Sequence, residues 1–289
     1  MAIAASKLAN QLAKLSPPVR VFAFLGLVLA VWTPFALPLY WLSAQGRLLG
    51  GDLFPTALLY VVFLIVLPRW LQRVHGVVRP WRQVGFAGLK PLLRGMGFGG
   101  IIGILSLGLL VLVQLGLGWA QFRTDIGWDL VGIGFAGAIT ALAVGWSEEI
   151  LFRGWLLWEL EQGFSLSWAL TISSLIFALA HFIKPLDVLL AMLPQFLGLL
   201  LLGIILVWAR RIPLDSAATT GLGHPVGLHS GLVWGYYLVN VGQLITPTGA
   251  VPAWVTGLDD NPLAGLLGLA LLSLLGGVFF RWSRPPCPS

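Results

Sequence analysis

The sequence predicts an all-α, polytopic membrane protein of about eight transmembrane helices. Three observations carry that expectation. Of the 289 residues, 58% are hydrophobic and 10% charged, whereas an average soluble domain is about one-quarter charged. Apolar runs of about 17–25 residues recur along the chain, the length of a helix across a ~30 Å hydrocarbon core, and not the ~10-residue alternating segments of a barrel. Arg and Lys fall in alternate connections between those runs, as topogenic charge does.

The first run, near residues 21–42, follows Lys7, Lys14 and Arg20 and is too long for a signal-peptide core, so it reads as an uncleaved first span. A second lies near 53–68. Segment 69–94 then carries Arg69, Arg73, Arg79, Arg82, Lys90 and Arg94. It reads either as a loop or as an interfacial helix on anionic lipid, with Trp70 and Trp81 as anchors. The third span, near 96–119, opens on Gly99-Gly100-Ile101-Ile102-Gly103, whose small-xxx-small spacing lets helices approach closely. Spans near 130–160, 166–183, 187–209, 223–240 and 262–280 complete the set.

The pair Arg210-Arg211 and the tail with Arg281 and Arg284 fall on the same side as segment 69–94 and the N-terminus. The opposite connections hold mostly Asp52, Arg123, Asp125, Asp129, Lys184, Asp187, Asp259 and Asp260, so the positive-inside rule places both termini in the cytoplasm. Glu159 to Gly163 is the one basic-poor connection on that side. With no repeat and no long linker, residues 1–289 read as a single membrane domain, with candidate core helices over 130–240. A bacterial inner membrane is the expected location. The net charge of +6 lies between apolar runs, so it calls for lipid bilayer and not nucleic acid. The single cysteine, Cys287, sits in a Pro-rich tail, which excludes a disulfide framework and a four-cysteine zinc site.

Against this background Trp146-Ser147-Glu148-Glu149-Ile150-Leu151-Phe152-Arg153 places two carboxylates and an arginine inside an apolar run. Each charge near the bilayer centre costs roughly 2.5–3.5 kcal/mol on insertion scales, which makes the cluster a candidate functional site. Glu149 and Arg153 are four residues apart and face each other on a helix as an ion pair. Glu148 is rotated by about 100° from Glu149 and is free to meet a neighbouring helix. The next run carries Phe177 and His181, again four apart. With a hairpin centred near Gly163, Glu148 lies 15 residues before it and His181 18 after, which at about 1.5 Å per residue puts them within roughly 5 Å in height. His229 sits in the seventh run and can close the site from another side. His75 and His224 read as surface residues.

No His-Glu-x-x-His, no Gly-x-Gly-Asp and no Gly-x-Ser-x-Gly occurs, and Ser147 and Ser230 have no evident base, so zincin, aspartyl and serine mechanisms lack their parts. A carboxylate with two histidines can activate water for attack on an amide carbonyl, with a donor such as His229 stabilising the oxyanion. The same residue types could instead bind Zn²⁺, which activates water itself. The residues leave both routes open, and no cofactor is otherwise called for.

Glu148-Glu149-x-x-x-Arg153, then Phe177-x-x-x-His181, then His229, in this order on successive apolar helices, resemble the three motifs of the CPBP family, the Abi or type II CAAX prenyl protease-like proteins. The resemblance implies an all-helical membrane glutamic endopeptidase acting on a peptide or membrane-protein substrate. It implies that Glu148 activates water with His181, that Glu149 pairs with Arg153 to hold the helix, and that His229 serves the oxyanion. The family's third motif often reads His-x-x-x-Asn, but here the fourth residue after His229 is Val233. Either another donor replaces that amide, such as the Trp234 indole or a water, or the protein is slow, or it is a non-catalytic scaffold or immunity protein on the same fold. A transporter is a further alternative, but inverted repeats with broken helices are not apparent.

Overall fold

The computed structural model of the chain describes residues 2–125, 127–182, 195–213, 220–258 and 261–284. Lys184, Asp187, Asp259, Asp260, Cys287 and the start of the expected span 187–209 lie outside the described residues. Each apolar run is helical where it is described. Helices α1 (Ala2–Ala13), α2 (Pro17–Ala44), α3 (Leu53–His75) and the short α4 (Pro80–Gln83) are followed by α5 (Leu89–Gly116) and α6 (Trp128–Glu149). Then come a π-helical segment Ile150–Leu156, α7 (Leu157–Glu161), α8 (Leu166–Ala180), α9 (Gln195–Arg211) and α10 (Gly223–Asn240). The short α11 (Ala253–Thr256) and α12 (Leu266–Trp282) end the series. Strands β1 (Ala120–Phe122) and β2 (Ile245–Pro247) pair antiparallel, with Gln121 opposite Thr246.

Among the described residues, four helical runs are long and apolar enough to cross a membrane: Pro17–Ala44, Leu53–His75, Leu89–Gly116 and Trp128–Glu161; Leu166–Ala180 and Leu266–Trp282 are apolar but shorter. Each of the four has a third or less of its apolar window buried inside the protein. Phe22, Phe35, Leu105, Leu112 and Phe135 are left exposed, as lipid-facing side chains are. The protein is an integral membrane protein.

Segment 69–94, read as a loop or an interfacial helix, is the end of α3 to His75, the short α4 at Pro80–Gln83 and the start of α5 at Leu89. Trp70 is buried with its ring 5.4 Å from that of Phe24, so it packs in the protein and does not anchor it to lipid.

The chain divides into two compact units, Met1–Val84 with Trp155–Ser165, and Gly85–Gly154 with Leu166–Ser289. In the first, Phe24 sits among Phe63, Trp70 and Trp155, with the Phe24 and Trp155 rings 4.3 Å apart. Near its edge Glu159 is fully buried and accepts hydrogen bonds from Arg20 Nε at 2.5 Å and Trp70 Nε1 at 3.4 Å, with His75 Nε2 at 3.0 Å. Arg20 Nη1 also donates to the Leu15 carbonyl at 2.6 Å. His75 is therefore not a surface residue, and Glu159 is not in a solvated connection. A buried carboxylate is tolerated here because a guanidinium and other polar groups surround it.

In the second unit α10 lies backbone to backbone against α5. A Cβ on Gly99 would stand 2.7 Å from Leu228 N, and one on Gly103 2.6 Å from Leu228 O, so only glycine permits the approach. This bears out the packing role of the small-xxx-small stretch. Gly145 makes the same kind of contact between α6 and Ser230 of α10. Gly203 of α9 meets Ser174 of α8, where a Cβ would lie 3.1 Å from the Ser174 Cα. His224 is buried at the start of α10 with its ring 5.5 Å from Phe98, a second correction to the surface reading. The loop before α6 is tied down by Arg123, which donates to Asp129 at 2.8 Å and to the Gly242 carbonyl at 3.2 Å.

Candidate active site

Helix α6 ends on Glu148 and Glu149, and the seven-residue π-helical segment that follows carries Arg153. Such wide turns are rare and gather at functional sites. The expected ion pair forms: Arg153 Nη1 donates to Glu149 Oε1 at 2.8 Å, with both side chains fully buried. Two further contacts hold the guanidinium. Its Nη2 donates to the Gly203 carbonyl at 3.2 Å, and its centre lies 4.2 Å from the Phe177 ring centroid, a cation–π contact. The bare Cα of Gly203, which lets α9 close on α8, also leaves that carbonyl within reach.

Phe177 is the hub of the pocket wall. Its ring centroid is 4.7 Å from the His181 ring, 6.1 Å from His229 and 5.2 Å from Phe152. His181 stands in the turn directly after α8, and its Nδ1 is 2.8 Å from the Phe177 carbonyl. A carbonyl can only accept, so His181 carries its proton on Nδ1 and turns Nε2 outward. That nitrogen lies 3.7 Å from Glu148 Oε2.

His229 approaches from α10. Its Nδ1 is 2.8 Å from Glu149 Oε1, the oxygen that also takes Arg153, and its Nε2 is 4.0 Å from Glu148 Oε2. Among the described residues Glu148 Oε2 has no hydrogen-bond partner, although it is shielded from solvent. Both histidine distances are too long for direct hydrogen bonds and suit a small bridging molecule such as water. The side chains of Glu148 and His181 are 27% and 32% exposed while that of His229 is 5% exposed, so the site opens on the Glu148–His181 side and is closed behind His229.

All six residues singled out from the sequence, Glu148, Glu149, Arg153, Phe177, His181 and His229, thus meet in one place. Trp234 does not join them: its indole donates to the Gly134 carbonyl at 2.8 Å. Ser147 donates to the Ala143 carbonyl at 2.8 Å, so its hydroxyl is also engaged within its own helix. Among the described residues no group of three or more His, Cys, Asp or Glu is arranged to hold a metal ion.

Residues 130–235 match the type II CAAX prenyl endopeptidase Rce1-like family. The Rce1-like segment is less than half of the chain, and it contains every one of the six residues. Over that segment the chain is similar to CAAX-type proteases. No curated protein and no solved structure matches the chain. Sequence reading of the Rce1-like core missed the π-helical segment, the bond from His229 to Glu149, and the glycines at 145 and 203. The glycines were visible as letters, but only the paired helices show which ones touch.

Proposed function

We propose that this protein is an intramembrane endopeptidase that hydrolyses a peptide bond with water activated by Glu148 and His181, in a chain that crosses the membrane about eight times. The observation that carries the reading is Glu148 Oε2, unpartnered among the described residues, with a histidine nitrogen 3.7 Å away. A water in that gap gives one hydrogen to the carboxylate and the other to the His181 Nε2 lone pair, which aims its own lone pair at a carbonyl. As the oxygen adds to the carbonyl carbon, its proton passes to Glu148, and the negative charge gathers on the former carbonyl oxygen near His229. Collapse of the tetrahedral species breaks the C–N bond, and the amine leaves with the proton from Glu148. The products are a carboxylic acid, which keeps the second water proton, and an amine; proton transfer between them gives the carboxylate and ammonium.

The remaining pieces have supporting roles. Arg153 neutralises Glu149, and Phe177 fixes both the guanidinium and the His181 carbonyl contact. Substrates are peptides or membrane proteins that reach the open Glu148–His181 side from the bilayer, with prenylated C-terminal peptides the first class to try. The test is cleavage of a peptide and membrane-protein library by purified protein in nanodiscs, with and without a strong zinc chelator. Cleavage indifferent to chelator supports the glutamate route, and chelator sensitivity assigns the same residues to a zinc enzyme. A protein that cleaves no library member while remaining folded is the scaffold or immunity protein that Val233 favours.

A further inference from the structure

Among the described residues, none donates a hydrogen bond to Glu148 Oε2. Glu148 is an acceptor, and His181 presents a lone pair on Nε2 because its Nδ1 proton goes to the Phe177 carbonyl at 2.8 Å. His229 gives its Nδ1 proton to Glu149 Oε1, also at 2.8 Å, so as a neutral ring it would offer a third lone pair. A water has two hydrogens and an oxyanion none. Three acceptors can neither all bind the water nor stabilise the oxyanion.

Glu149 resolves this. Its Oε1 takes both Arg153 Nη1 and His229 Nδ1, each at 2.8 Å, in a fully buried position. If the carboxylate served only the arginine, the histidine would have no reason to share that oxygen. Resting on the protease reading above, we propose that Glu149 is a positioning residue for catalysis: it holds the His229 proton on Nδ1 and stabilises the imidazolium, so that Nε2–H donates to the oxyanion in place of the amide absent at Val233. Charge-assisted hydrogen bonds are roughly twice as strong as neutral ones, which offsets part of the missing donor.

The charged neighbours agree. Among the described residues, the titratable groups facing His229 are Glu148 and Glu149 from α6, Arg153 behind Glu149, and His181 after α8; α5 brings glycines with Met96 and Ile104 to this stretch of α10, none of them ionisable, and α9 has its ionisable residues, Arg210 and Arg211, in its last turn. With His229 as imidazolium, Glu148, Glu149, Arg153 and His229 form a neutral set. With a neutral imidazole the set keeps one negative charge, on the Glu148 carboxylate whose Oε2 is shielded while the side chain is 27% exposed.

The test is the side-chain ¹⁵N spectrum of histidine-labelled protein in nanodiscs. The chain has 4 histidines, and His229→Gln identifies the signal of interest by its loss. The expected wild-type spectrum has Nδ1 protonated, with an imidazolium share that falls in Glu149→Gln at the same pH. In parallel, the kcat/KM lost in Glu149→Gln should recover as the pH is lowered, which a merely structural residue would not allow. A wild-type His229 with its proton on Nε2 and a lone pair on Nδ1 overturns the proposal, as does an imidazolium share untouched by Glu149→Gln. If Glu149→Gln does not fold, the wild-type spectrum still decides the tautomer. A wild type that cleaves nothing overturns the protease reading itself, and is told apart because the spectrum is read without substrate.

Discussion

Glu148 Oε2 has no hydrogen-bond partner among the described residues and stands 3.7 Å from His181 Nε2, the two groups reaching each other from α6 and from the turn after α8. Because Oε2 bonds none of the described residues, its exchange for an amide removes a base without removing a contact to them. Glu148→Gln should lower kcat by about 10²–10⁴-fold, the usual worth of a general base. Thermal unfolding of the solubilised variant should match wild type, which separates loss of chemistry from loss of fold.

Arg153 answers to a different measurement. It is fully buried and held by Glu149, the Gly203 carbonyl and the Phe177 ring. Removing one partner of a buried ion pair costs about 3–5 kcal/mol. Arg153→Met should therefore reduce yield and unfolding temperature. Arg153→Lys should recover only part of both, since an ammonium cannot span Glu149 and Gly203 as the planar guanidinium does.

Much of this site was legible beforehand because helical arithmetic is reliable over short distances. The four-residue spacings of Glu149 with Arg153 and of Phe177 with His181 fixed two contacts, and counting from Gly163 placed Glu148 and His181 at one height. What failed were the partners of polar residues outside that site. Glu159 looked like part of a loop and His75 like a surface residue, since nothing in hydropathy reveals that Arg20 lies beside Glu159. The bond from His229 to Glu149 in turn depends on how closely Gly145 of α6 lets α10 settle. The Trp234 indole failed as a substitute donor because the Gly134 carbonyl, a hundred residues earlier, already takes it.

The Glu159 cluster predicts its own outcome. Glu159→Gln strips the counter-charge from buried Arg20 and should destabilise the protein by about 3–5 kcal/mol. The double variant Arg20→Met with Glu159→Gln should be more stable than Glu159→Gln alone, since it removes the stranded charge. Comparing the three unfolding temperatures tests whether Glu159 and Arg20 act as a pair.

Val233 lies four residues after His229 on α10, hence on the same face one turn along. An oxyanion donor is worth about 2.7–4 kcal/mol. With His229 already supplying one, Val233→Asn should raise kcat by up to about 10²-fold. An unchanged rate on a cleaved substrate would mean that the oxyanion does not form at this end of the site.

The most direct measurement is kcat on the best substrate from the library for wild type, Glu148→Gln and His181→Ala, each verified as folded. The account predicts cleavage by wild type and a loss of about 10²-fold or more in both variants. Cleavage by Glu148→Gln at the wild-type rate would contradict it.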